Sequence, residues 1–277
     1  MSRRNVPTTP CPVCGRSDSL QLVDDSLRVF RCSACDHRFS DIEPMAEEVY
    51  SEAYFIETHK HWFLNPDYRH FEYIYSHVKS AGSVLDVGCG DGALLKYLRR
   101  RDASLQLSGI DLIANDAPGI TFYQGNIFET EITQRFGAVV CVHAIEHIRD
   151  PHLLLKAIKK LLAPGGSVII STIDSSSPIH VVAEGLKRIG MRGPYERIFS
   201  AHHLNHFSYN SLRRLVELEE LSPVRQFNYN HPLKSVDVPP GHPAKVLAFK
   251  AATLALFSTS RAMGKGMLQS IVATAPA

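Results

Sequence analysis

One run, Ser83-Val-Leu-Asp-Val-Gly-Cys-Gly-Asp-Gly-Ala-Leu-Leu, constrains the fold of this chain more than any other. Val84 to Val87 reads as a strand, Gly88-Cys-Gly-Asp-Gly92 as a tight turn and Ala93 to Arg101 as a helix. Glycines in such a turn let the backbone take positive φ and let a ligand approach it closely. About twenty residues further on, Leu107-Ser-Gly-Ile-Asp111 reads as a second strand ending in an acid, the position from which a carboxylate bonds the ribose hydroxyls of an adenosyl group.

The alternation continues downstream. A short strand at Ile120 to Tyr123 leads into Gly125-Asn126-Ile127, where an adenine contact is expected. Gly137 to Val142 reads as a strand, and Asp150-Pro151 as a helix start with an N-cap and a proline in the first turn. His152 to Leu162 follows as the helix, Ala163-Pro-Gly-Gly as a turn, Ser167 to Ser171 as the next strand, and Met267 to Thr274 as a closing seventh strand. This is the pattern of an α/β, doubly wound, mostly parallel sheet with its ligand at the C-terminal strand ends. Gly88-x-Gly90-x-x-Ala93 also fits a dinucleotide fingerprint, which makes a nicotinamide enzyme the rival. Asp86 opposes it. A carboxylate just before the glycine turn repels a pyrophosphate but attracts the ammonium and sulfonium of S-adenosylmethionine. Each such charge pair is worth about 4 kcal/mol at 4 Å and an effective dielectric of about 20.

These residues resemble the class I S-adenosylmethionine-dependent methyltransferases. VLDVGCGDG, GID, the Gly125-Asn126 segment, an EH element after the fourth strand and LxPGG follow in the family's order over about residues 80 to 175. The resemblance implies a Rossmann-like methyltransferase domain with a seven-stranded sheet over 83–277, with acceptor-side insertions at about 174–210 and 231–262. It implies that Asp86, Gly88 and Gly90 bind the methionine part, Asp111 the ribose, and Asn126 with Ile127 the adenine. Cys89, Leu112 and His143 complete the candidate cofactor contacts. Asn126 stands where the family more usually has Asp, and its amide oxygen can still accept from the adenine amine. The chain resembles the ubiquinone-type O-methyltransferases and the small-molecule or sugar methyltransferases with N-terminal zinc segments. That implies O-methylation of a small molecule or glycan precursor. An RNA base methyltransferase that holds nucleic acid with the N-terminal module is one alternative, although the large-subunit rRNA guanine methyltransferases use a different zinc-ligand pattern. A catalytically silent scaffold is the other, and intact Asp86, Gly88, Gly90 and Asp111 argue against it.

Ahead of this domain, in residues 8–40, Cys11-Pro-Val-Cys14 and Cys32-Ser-Ala-Cys35 form two CxxC knuckles around strand-like Leu20-Gln-Leu-Val and Leu27-Arg-Val-Phe30. Two knuckles aim four thiolates at one point, the tetrahedral cage of a structural zinc ribbon. So small a module depends on its metal for folding energy. A four-sulfur site has no open position for catalysis, and His37 is read as a neighbour of the metal and not a ligand. Arg16, Arg28, Arg31 and Arg38 form either a weak basic face or a solvated surface. The bridge, 41–82, is read as a helical lid. Asp67 to Lys79 forms an amphipathic helix with Phe71, Ile74, Tyr75 and Val78 on its apolar face, while Tyr50, Tyr54 and Trp62 either pack or cover the cofactor.

Two histidine groups are the candidates for chemistry. His143-Ala-Ile-Glu146-His147 follows the fourth strand, where acceptor meets methyl group. It matches the HxxEH string of inverted zinc proteases, but its place at a strand end among methyltransferase motifs rejects that reading. Ubiquinone-type enzymes carry ExxEH here, associated with a divalent metal, and His143 replaces the first Glu. His143, Glu146 and His147 therefore hold a second divalent ion, supply a general base, or brace the loop. Ser200-Ala-His-His-Leu-Asn-His206-Phe207-Ser precedes a helix at Ser211 to Glu220, so His203 and His206 are candidate bases or acceptor ligands, or else cap and pack. The stretch 174–199 has weak periodicity and is expected to shape the acceptor pocket.

A net charge of +2 is too small to indicate nucleic acid by itself. The N-terminus lacks the apolar core of a secretory signal, and six cysteines without an export signal fit a reducing, cytoplasmic setting. Pro243 to Ser260 is rich in Ala, Leu and Phe, and no acid follows Gly241. That helix is expected to be buried between the sixth and seventh strands, to meet a second copy in a homodimer, or to lie peripherally on a membrane.

Overall fold

The computed structural model describes residues 7–42, 65–199, 202–236, 238 and 241–276. Tyr50, Tyr54 and Trp62 lie outside the described residues, as do Ser200 and Ala201. The N-terminal module is a small antiparallel sheet of β1 (Leu20–Asp24), β2 (Val29–Cys32) and β3 (Arg38–Ser40). Helix α1 (Tyr68–Val78) begins at Asp67, whose carboxylate accepts from the Arg69 and His70 amides, and buries His70, Ile74 and Val78. An anionic N-cap satisfies amides that have no partner within the helix.

The larger part of the chain follows as β4 (Ser83–Val87), α2 (Ala93–Arg101), β5 (Gln106–Asp111), β6 (Ile120–Gln124), β7 (Phe136–Val142), α3 (Pro151–Leu161) and β8 (Leu162–Ile173). Asp150 caps α3 by accepting from the Leu153 amide, with Pro151 in the first turn. The chain continues through α4 (Pro178–Arg188), α5 (Gly193–Ile198), β9 (Asn205–His206), α6 (Tyr209–Leu218), β10 (Ser222–Tyr229), α7 (Pro243–Ala262) and β11 (Leu268–Thr274). The large sheet has seven strands in the order β10-β11-β8-β7-β4-β5-β6. Strands β4 to β8 pair in parallel, while β11 runs antiparallel to β8 and to β10. This is the doubly wound, mostly parallel seven-stranded sheet expected. Its strands are buried on both faces: Leu85, Val139 and Cys141 join the core with α3 and α6, and Val84, Ala138 and Val140 join the one with α1 and α2. Central strands covered by helices on both sides lose the polar alternation of a half-exposed sheet.

Two expectations are corrected. The bend at 163–166 is not a separate turn but the bulged start of β8, where Leu162 pairs with Phe136, the register shifts, and Gly165 takes a φ of 68°. Helix α7 is not buried between the last two strands, because β10 and β11 pair directly from Ser222↔Thr274 to Tyr229↔Leu268 and leave it outside the sheet. Of its residues only Phe257 and Ser260 are buried, while Leu247 is 70% exposed. Among the described residues no helix is long and apolar enough to cross a membrane. The sequence pattern also missed β9, which adds to the N-terminal sheet by pairing antiparallel with β3.

Candidate active site

The cofactor end is built by the turns after β4, β5 and β6. The Gly88 amide donates to the Ile110 carbonyl at 2.9 Å, and its φ of 72° belongs to glycine. A Cβ at Gly88 would stand 2.6 Å from that of Ala144, so the glycine also lets the loop after β7 close on the turn. Asp111 braces the cradle: its carboxylate accepts from the Gly90 amide at 2.8 Å and the Ile113 amide at 3.1 Å. Burial raises the Asp111 carboxyl, and these backbone amides oppose the rise. Asp86 is 3% exposed, and its Oδ1 has no hydrogen-bond partner among the described residues. Burial first, then the negative charges of Asp111 and Asp91, push its carboxyl up to about 8. A buried carboxylate oxygen without a partner is costly unless a cation meets it.

One cavity of about 970 Å³ runs from this cradle across the sheet ends. Cys89, Leu112, Asn126, Ile127 and His143 line it together with Asp86, Gly88, Gly90 and Asp111. The Asn126 Oδ1 accepts from the Phe128 amide at 3.1 Å, which fixes the side chain at the rim where adenine was expected.

At the acceptor end His143 adopts a φ of 55°, unusual for a residue with a side chain and typical of strain held at a site. Its Nδ1 bonds to Glu146 Oε1 at 3.3 Å, and Thr172 Oγ1 donates to Glu146 Oε2 at 2.8 Å. Burial alone would raise the Glu146 carboxyl. The His143 hydrogen bond and the charges of His143, His147 and His203 outweigh it and bring it to about 2. His147 donates through Nδ1 to the His202 carbonyl at 2.9 Å, and its ring lies 4.9 Å from that of His203. One ligand atom each from Glu146, His147 and His203 falls within 4.8 Å of the others. The metal-like trio thus takes His203 from a distant segment in place of His143, which instead bonds to Glu146. His206 does not line the cavity. It is 3% exposed, its Nε2 bonds to Ser40 Oγ at 3.1 Å, and burial holds its imidazole well below the usual range.

Among the cavity residues that went unread in the sequence are His70, Tyr229 and His231. His70 donates to or accepts from Ser171 Oγ at 3.0 Å and stacks on Tyr229 at 4.4 Å. His231 stacks on His143 at 5.6 Å. Burial, then neighbouring imidazole charge, pushes both His70 and His231 down to about 3, so they present neutral rings to a ligand. His70 could have been found from its place one turn before Ile74 on the apolar face of α1. Nothing local marks Tyr229 or His231.

In the N-terminal module the sulfurs of Cys11, Cys14, Cys32 and Cys35 all lie within 4.8 Å of one another. Cys11 and Cys35 are 3.6 Å apart and Cys14 and Cys32 3.5 Å. A tetrahedron of sulfurs at zinc's bond length has edges of about 3.8 Å, so the cluster fits a zinc ribbon. The hydrogen bond from Cys35 lowers the Cys11 thiol to about 4, and the same contact pushes the Cys35 thiol up.

Comparison with known proteins places the family and the fold. The model of the methyltransferase domain family matches residues 60–225, more than half of the chain, and the chain belongs to that family. Among curated relatives, the ubiquinone biosynthesis O-methyltransferase of Psychrobacter cryohalolentis is 33% identical over 132 residues, 41% of this chain and 51% of that protein. The enzyme of the same name from Chromobacterium violaceum is 30% identical over 147 residues, covering 45% and 62%. The chain thus spans about half the length of the curated relatives it matches. Among solved structures, the fold resembles that of Burkholderia thailandensis 1,6-didemethyltoxoflavin-N1-methyltransferase with bound 1,6-didemethyltoxoflavin and S-adenosylhomocysteine. The TM-score is 0.53 at 15% identity, with 87% of this chain and 96% of that one covered.

Proposed function

We propose that this protein transfers a methyl group from S-adenosylmethionine to an oxygen of a small-molecule or glycan-precursor acceptor. The observation that carries this reading is the single cavity joining the Asp86–Asp111 cradle to a cluster of histidines around Glu146. The Asp86 oxygen that has no partner among the described residues fits the donor's cationic methionine end, and Asp111 fits its ribose. S-adenosylmethionine, when bound, supplies the methyl group and a neutral leaving group.

The chain's own residues then hold the acceptor in line and take its proton. His143 is the proposed base. With Nδ1–H donated to Glu146, its Nε2 carries the lone pair, and Glu146 stabilises the protonated ring. His70, Tyr229 and His231 wall the acceptor, and positioning of this kind supplies much of the rate of a displacement. Glu146, His147 and His203 are the residues that would hold a second divalent ion, which would acidify an acceptor hydroxyl. Zinc in the Cys11–Cys14–Cys32–Cys35 ribbon is structural.

The upper cavity is lined by Ile179, Val182, Leu186, Phe249 and Leu256, an apolar wall from α4 and α7 that suits a small acceptor better than an RNA strand. The exposed leucines of α7 support a contact surface, peripheral on a membrane or between copies in a homodimer. Six cysteines, four of them gathered in the ribbon cluster, suit the reducing conditions of a cytoplasmic enzyme. The test is labelled-methyl transfer to a panel of phenols and sugar derivatives. We expect methylated hydroxyl products and a loss of about 10²–10⁴ in turnover on His143→Ala. Methylation confined to nitrogen or carbon, or full turnover without His143, would contradict it.

A further inference from the structure

The N-terminal ribbon is wired into the acceptor end of the cavity and not into the cofactor end. Strand β3 pairs with β9 through Arg38↔His206 and Phe39↔Asn205. The Ser40 amide donates to the Leu204 carbonyl at 2.9 Å, and the Leu204 amide donates to the Glu146 carbonyl at 2.8 Å. Beside this backbone relay runs a side-chain one. His37 Nε2 donates to Asn205 Oδ1 at 2.9 Å, and Asn205 Nδ2 donates to the Ile148 carbonyl at 2.6 Å. His37 is fully buried and Asn205 is 2% exposed. His37 is itself set by the second cysteine knuckle, since its carbonyl accepts from the Cys32 amide at 2.8 Å.

We infer that Asn205, held from behind by His37 of the ribbon, is a positioning residue that fixes the His203 segment against the Glu146–His147 turn. These segments are far apart in sequence, and Asn205 bonds across them two residues from His203 and one residue beyond His147. A buried amide with both its donor and its acceptor engaged in one geometry holds such a spacing more rigidly than packing alone. The Asp86–Gly90 turn and Asp111 make no contact of this kind with the ribbon in the hydrogen bonds described. The ribbon therefore acts as a back wall of the acceptor end, and its metal holds the wall in shape.

The inference rests on the acceptor-side reading of the histidines, so its test separates the two. Zinc-loaded Asn205→Ala, Asn205→Asp and His37→Gln proteins are compared with the parent by calorimetric titration of S-adenosylhomocysteine and by NMR of the His147 and His203 imidazoles. Asn205→Asp keeps an acceptor for His37 but loses the donation to Ile148, while His37→Gln keeps a donor to Asn205. The expected result is displaced His147 and His203 resonances in both Asn205 variants, with parent-like resonances in His37→Gln. S-adenosylhomocysteine affinity should stay within about twofold, as for sites that share no partners. Unmoved imidazole signals in Asn205→Asp would overturn the brace, as would cofactor affinity falling in step with the displacement. Failure of the parent itself to bind S-adenosylhomocysteine would instead sink the methyltransferase reading. Should Asn205→Ala fail to fold, the contrast between Asn205→Asp and His37→Gln decides.

Discussion

At its cofactor end the cavity is walled by the turns after three adjacent strands, β4, β5 and β6. At its acceptor end it is walled by side chains from α1, the loop after β7, the segment before β9 and the loop after β10. The first wall is local. A parallel sheet places consecutive strand ends side by side, so a ligand that crosses them meets residues in chain order. The second is assembled from segments that are neighbours only in space, and the N-terminal ribbon helps to hold two of them together. A change in one wall should therefore leave the other standing.

The largest expected effect comes from the ribbon. Cys32→Ala removes one of the four proposed zinc ligands, and a structural zinc contributes on the order of 10 kcal/mol of coupled folding energy. Zinc content should fall and the amides of β2 and β3 should lose exchange protection, while S-adenosylhomocysteine still binds. Loss of cofactor binding along with the zinc would mean that the two walls are one cooperative unit. Asp111→Ala is the reverse experiment. Losing the proposed charged acceptor for the ribose hydroxyls should weaken S-adenosylhomocysteine on the order of 100-fold by calorimetry, with zinc content and the histidine resonances unchanged.

How much could be read in advance follows the same division. The glycine turn, the acids at 86 and 111 and the four cysteines act through short spacings, so one sequence displays them. Most strands and helices from Ser83 to Ser171, and the last strand, were equally legible, because burial on both faces makes the strands apolar and Asp150-Pro151 announces its helix. The partnership of His203 with Glu146 and His147 was hidden. It depends on β9 pairing with β3, and a strand of two residues carries no periodicity. His206 looked equivalent to His203 in sequence, yet the alternation of side chains along β9 turns it toward Ser40 and away from the cavity. Helix α7 was misread because its apolar composition suggested burial, whereas the direct pairing of β10 with β11 leaves it outside.

A smaller effect should appear with pH. The Asp86 carboxyl lies at about 8 in the folded, ligand-free protein, above its ordinary value of 3.8. The folded state thus holds a proton that the unfolded chain has released, and this site lowers stability progressively as pH rises from about 4 to about 8. A bound cation reverses the balance by favouring the carboxylate. Binding of S-adenosylmethionine at pH 6.5 should release about one proton, read from titrations in buffers of different ionisation enthalpy. Affinity should rise by up to about tenfold from pH 6 to 7. A pH-independent affinity without proton release would show that Asp86 does not face the cation. The smallest effect is expected at Leu247. Leu247→Ser should change stability by less than about 0.5 kcal/mol in thermal unfolding, because the side chain is already 70% exposed. A larger loss would show that α7 is packed as core.

The central claim is that the cofactor wall is built for a cationic adenosyl donor. Its most direct test is calorimetric titration of S-adenosylmethionine, S-adenosylhomocysteine and NAD into the folded, zinc-loaded protein. Micromolar binding of both adenosyl ligands with none for NAD is the result predicted from Asp86 and Asp111. Folded protein that binds neither adenosyl ligand, or that prefers NAD, would contradict it.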